Sequence, residues 1–167
     1  MFQDVYGSSD NRYFNKTKDL LSKIDEGSLD FIVMCNVFHE IDPSEWLNLF
    51  NSPTSPVKLL KEDGHLLIIE DQFLAVGEKA HSKGFLVFDE LELKTLFKIT
   101  TADKYKSTDY RKDGRLKSHH IPKSCLNKVD ADSRKKAIEI LLQNSKDEIK
   151  RIRKLEASFK NGKLHAN

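Results

Sequence analysis

LDFIVMCNVFHEIDPSEW, residues 29–46, sets the architecture. From Leu29 to Phe38 the run is almost unbroken in apolar residues and lacks a two-residue alternation. A strand that is apolar on both faces belongs inside a sheet covered by helices on either side, an α/β signature. The chain then turns into a helix: Asp42 can cap it, Pro43 suits its first turn, and Glu45 can complete a capping box. That helix carries Trp46, Leu47, Leu49 and Phe50, and the Ser/Pro stretch 51–56 ends it.

Outward toward the C-terminus the logic repeats. A shorter helical piece is expected from Val57 to Lys61, stopping at Gly64 in the left-handed position that often closes a helix. HLLIIED (65–71) follows as a second short buried strand, with acidic residues where it leaves the sheet. Asp89 and Glu92 open a helix carrying Leu91, Leu93, Leu96 and Phe97. FKITTADKYKSTDYR (97–111) and RLKSHHI (115–121) flank Lys112-Asp113-Gly114, which predicts an antiparallel hairpin. One long helix is expected from Asp132 to about Lys160, with a break near Asn144-Ser145. Its apolar stripe is Ile138, Leu141, Leu142, Ile149, Ile152, Leu155 and Phe159. Toward the N-terminus, Phe14, Leu20, Leu21 and Ile24 recur at helical spacing within 11–24, with Gly27 as the stop, and a short strand is expected at Phe2–Tyr6.

The 167 residues suffice for one domain with a real core, read as an α/β unit over 1–129 and a long amphipathic helix and tail over 130–167. A net charge of +2 is too small to argue for any partner. Cys35 and Cys125 lie far apart, so neither a disulfide framework nor zinc-ligand spacing is visible. The first residues have neither a basic start nor an apolar stretch, and no apolar run is long enough for a membrane helix. A cytoplasmic protein with no membrane partner is the expectation.

Strand, helix, strand, helix and hairpin in this order resemble the second half of the class I S-adenosylmethionine-dependent methyltransferase fold. LDFIVMCNVFHEIDPSEW is similar to the family's fourth strand and following turn, a buried "FDxVxxxxVLHHI" segment. KLLKEDGHLLIIED (58–71) is similar to its "LKPGGxLLIxE" unit, and GFLVFDELELKTLF (84–97) resembles the helix before its sixth strand. The match covers residues 29–122. It implies a partial Rossmann-like sheet of parallel strands, ended by an antiparallel C-terminal hairpin. The family's glycine-rich cofactor loop has no counterpart, because only Gly7 precedes Gly27, and the ribose-gripping acid is missing too. The chain is therefore expected to be either the C-terminal part of a longer protein, the favoured reading, or a diverged remnant of the fold, in both cases inactive alone and binding S-adenosylmethionine weakly or not at all.

Ligands of open α/β sheets bind beyond the carboxyl ends of the strands, which directs attention to one rim. The resemblance implies that Asn36 and Val37 lie beside the methionine portion of the cofactor, and that Asp4 corresponds to the adenine-contacting acid. Asn36 reads equally well as a residue satisfying backbone groups at a turn. His39, whose imidazole could orient an acceptor or remove a proton from it, and its neighbour Glu40 are the catalytic candidates. Glu70 and Asp71 are candidates for contact with the acceptor. No metal is expected: His119 and His120 are adjacent on a strand and point to opposite faces.

Three functions compete. The first is methyl transfer to an unknown acceptor. The second is a catalytically silent methyltransferase-like module for interaction or dimerisation. The third is a nucleic-acid-binding accessory domain using Lys146, Lys150, Arg151, Arg153 and Lys154, although interspersed Asp147, Glu148 and Glu156 favour a solvated helix face. The expected partner is the missing N-terminal part of the fold or a second copy of the chain. Association is expected through the apolar edge Phe31–Cys35, which the missing strands would otherwise cover, or through the apolar stripe of the C-terminal helix.

Overall fold

The computed structural model describes residues 7, 13–73, 85–112, 114–158 and 161–162. In chain order the elements are α1 (Thr17–Leu21), β1 (Leu29–Cys35), α2 (Trp46–Asn51), β2 (Leu60–Asp71), α3 (Glu90–Leu96), β3 (Lys106–Asp109), β4 (Leu116–Pro122), α4 (Lys123–Leu126) and α5 (Ala131–Arg153). Short 3₁₀ turns at Phe38–Glu40, Pro43–Glu45 and Pro56–Leu59 join them.

The four strands form one mixed sheet in the order β1-β2-β4-β3. β1 and β2 are parallel neighbours, with Ile32 opposite Leu66 and Met34 opposite Ile68. β4 runs antiparallel to β2 and places Ile121 opposite Leu66 and His119 opposite Ile68. β3 and β4 form the expected antiparallel hairpin, whose turn includes Lys112 and Gly114 in the left-handed region. Parallel strands need a crossover between them, and here the segment holding α2 supplies it.

Side chains alternate across β2. Leu66, Ile68 and Glu70 are buried on one face, beneath Phe38, Trp46, Phe50, Phe88, Leu93, Leu96 and Phe97. Phe38 stacks on Trp46 with ring centroids 5.0 Å apart, and Phe88 meets Trp46 edge-on at 5.2 Å. Burial of these rings, together with the aliphatic side chains around them, stabilises the domain. The opposite face is not covered as expected. Among the described residues β1 is an end strand, and Phe31 and Val33 are 51% and 56% exposed.

Gly64 does not end a helix. Pro56 starts a single 3₁₀ turn, and β2 already begins at Leu60 and runs through Gly64. A Cβ at Gly64 would lie 3.0–3.1 Å from the carbonyl oxygens of Lys61, Asp30 and Leu29, where the register of β1 against β2 shifts between Leu29 and Phe31. The absent side chain is what allows this close approach.

α3 has the capping box formed by Asp89 and Glu92. Its first-turn cap and the buried Leu93 and Leu96 set its packing against α5. α5 starts one residue earlier than expected, capped by Asp130 and Ser133, and passes unbroken through Asn144-Ser145. Asn144 donates to Glu92 at 2.7 Å. Every residue from Leu142 to Arg151 is exposed, so the outer part of the apolar stripe, including Ile149, lies open. At the N-terminal side the expected helix is limited to Thr17–Leu21, and the proposed strand at Phe2–Tyr6 lies outside the described residues.

Candidate functional site

The carboxyl ends of β1 and β2 meet at one rim. β1 gives way to Asn36, whose φ of 50° turns the chain sharply out of the sheet. Its N–H still donates to Ile69 at 2.8 Å, and its side-chain oxygen accepts from the Asp71 N–H at 2.9 Å. Asn36 thus ties the two strand ends together, using the left-handed conformation its short polar side chain tolerates. Val37 follows, largely exposed beside it.

The next turn, Phe38–Glu40, is fixed from below because the Phe38 ring is enclosed by Trp46, Phe50 and Phe88. This anchoring directs His39 back onto β2. Glu70, on the covered face after Leu66 and Ile68, is 1% exposed. Its Oε1 accepts the Phe38 N–H at 2.9 Å, and the His39 N–H lies 3.4 Å from the same atom. Its Oε2 lies 2.5 Å from His39 Nδ1. A carboxylate in that position accepts a proton carried on Nδ1, which leaves the lone pair of a neutral imidazole on Nε2.

His39 itself is 8% exposed, and its ring rests against Phe85 with centroids 5.1 Å apart. On the Nε2 side the Glu40 carboxylate stands 4.0 Å away and open to solvent. Asp71 faces outward, where it accepts from the Phe73 N–H at 3.0 Å and from Arg115 Nε at 3.0 Å. The Phe73 N–H foremost, and Arg115 after it, hold its carboxyl below the usual range.

The rim therefore gathers Asn36, Val37, His39, Glu40, Glu70 and Asp71, and Asp4 lies outside the described residues. Within it the roles differ from one acid to the next. Glu70 meets the chain's own backbone and His39, whereas Asp71 and Glu40 meet solvent. Sequence reasoning missed Phe85 and Arg115. Phe85 follows a stretch with no pattern of its own, and Arg115 reaches the rim only because Leu116 of β4 pairs with Asp71.

The resemblance implies S-adenosylmethionine, whose nucleotide would need a cradle of backbone amides. Asn36 uses its N–H and its side-chain oxygen on the two strand ends, and Val37 is exposed beside it. Among the described residues, Gly27 precedes β1 and Gly114 lies in the β3–β4 turn, so neither of these positive-φ glycines follows a strand and opens a helix where backbone amides could cradle a nucleotide. The described residues do not fit the whole of S-adenosylmethionine.

Elsewhere, a cleft of about 530 Å³ shares no residue with the rim, and its Lys58 and Lys123 are paired with Glu26 and Glu62. His119 is fully buried and bonds to the Tyr105 hydroxyl at 2.7 Å, whereas its neighbour His120 faces the opposite side of the sheet, near Phe31. Burial pushes His119 down to about 4, and it pushes His120 down as well. No group of three His, Cys, Asp or Glu among the described residues is placed to hold a metal ion. On α5, Lys150 pairs with Asp147 and Arg151 with Glu148. No described helix is long and apolar enough to cross a membrane. Compared with protein-family models, curated proteins and solved structures, the chain matches none.

Proposed function

We propose that this chain forms the C-terminal part of a class I S-adenosylmethionine-dependent methyltransferase, with its acceptor handled at the His39 rim. The observation that carries the reading is the sheet. Two parallel strands joined through a helical crossover, then closed on the β2 side by an antiparallel hairpin, form the sheet ending that the resemblance implies. The rim lies at the carboxyl ends of those parallel strands, where open α/β sheets take their ligands. Asn36 and Val37 would border the methionine arm, while the glycine turn and ribose-binding acid come from a preceding segment or another chain. A cytoplasmic setting accords with two free thiols, Cys35 and Cys125.

Calorimetry tests the reading. Residues 1–167 alone should bind S-adenosylmethionine weakly or not at all. The longest natural reading frame containing them, or their mixture with a chain supplying the glycine turn, should bind it, and should release S-adenosylhomocysteine when a methyl acceptor is supplied. Absence of binding in every such combination would sink the proposal.

The exposed Phe31 and Val33 on the end strand β1 favour a second reading, a silent module that joins a second copy through that strand. Under it, sedimentation shows a concentration-dependent dimer while no preparation binds the cofactor.

A further inference from the structure

Burying a carboxylate is costly unless its charge is matched. Glu70 is nonetheless 1% exposed, and it serves two backbone N–H groups and one imidazole. A neutral amide oxygen could accept from backbone N–H groups equally well. What a carboxylate adds is the ability to balance a positive charge appearing on the ring it touches. The ring is also held in place, bonded at Nδ1, packed on Phe85 and carried by a turn whose Phe38 is enclosed. The solvent-facing Glu40 carboxylate stands 4.0 Å from the ring's other nitrogen.

We propose that Glu70 is a positioning residue that keeps His39 ready to accept a proton at Nε2, and that the rim serves a nucleophile with a proton to lose, a hydroxyl above all. A neutral amine attacks with its own lone pair and needs no base beforehand, whereas a hydroxyl gains most from one. In the step, the O–H bond of the incoming group breaks, its electron pair stays on oxygen, and an N–H bond forms at Nε2. The imidazolium charge is balanced by Glu70, and the proton leaves outward past Glu40 to solvent. The inference rests on the transferase reading only for what the oxygen does next.

Two measurements on the 167-residue chain test the pair without turnover. Long-range ¹⁵N–¹H correlation spectra should place the His39 proton on Nδ1, and Glu70→Gln should move a large share of it to Nε2. Diethyl pyrocarbonate should modify His39 at Nε2, more slowly in Glu70→Gln, with the His120 rate unchanged as the internal standard. A wild-type proton on Nε2, or a variant indistinguishable in both readouts, overturns the proposal. If Glu70→Gln loses its native amide spectrum, the wild-type tautomer and site of modification decide alone.

In a chain combination that transfers methyl groups, Glu70→Gln should lower kcat by about tenfold or more with KM little changed. An unchanged kcat there rejects the pair and leaves the transferase reading standing. Wild-type protein that transfers nothing, yet shows the expected tautomer and modification, rejects the transferase reading and leaves the pair standing.

Discussion

On β1 and β2, the two faces carry side chains of similar character in opposite surroundings. Ile32, Met34, Leu66 and Ile68 lie under a layer of aromatic rings, while Phe31, Val33 and Cys35 on the other side are exposed. The difference separates what a residue type can contribute from what its position lets it contribute. Transfer from water stabilises only where water is removed.

The largest effect should come from the covered side. Trp46→Ala removes a ring packed on Phe38 and Phe88 and should cost about 3–5 kcal/mol in urea unfolding. A loss below about 1 kcal/mol would show that the ring layer is loosely packed.

Next comes the histidine pair that straddles the sheet. His119 is depressed to about 4 in the folded state against 6.5 ordinarily, so the unfolded chain binds the extra proton first. Its contribution is complete above pH 6.5 and is lost as pH falls toward 4, to the extent of about 3 kcal/mol. Urea midpoints across that window should follow this slope, and His119→Asn should flatten it much more than His120→Asn. Equal effects from the two variants would mean that the faces are not distinct.

A smaller loss, about 1 kcal/mol, is expected from Asp89→Ala, which removes the cap of α3 and the ion pair with Lys117. Thermal unfolding measures it. Smallest of all, Val33→Thr on the open face should stay within about 0.5 kcal/mol of wild type in dilute solution. A greater cost would reveal that something covers this face after all.

Much of this is legible in the sequence alone. Asp89 and Glu92 announce α3, Lys112 to Gly114 announce the hairpin, and the rule that strand ends host ligands gathers Asn36, His39, Glu40, Glu70 and Asp71. The start of β2 was hidden, because Lys61-Glu62-Asp63 has the polarity of a loop and Pro56 suggests a longer helix than one 3₁₀ turn. The role of Glu70 was half visible. Counting by twos from Leu66 and Ile68 turns it inward, but an acid at a strand end reads as solvated until its partners are known. The open face of β1 could not be read at all, since an apolar residue gives no sign of whether anything will be laid over it.

Gly64 carries a consequence for inheritance. Every single-base change that alters a glycine codon installs a Cβ or ends the chain, and here a Cβ runs into three backbone oxygens at 3.0–3.1 Å. Those oxygens belong to the main chain, so no rotamer change can move them aside. A saturation library scored for folded protein should therefore show position 64 depleted of substitutions relative to Gly162, which has open space around it.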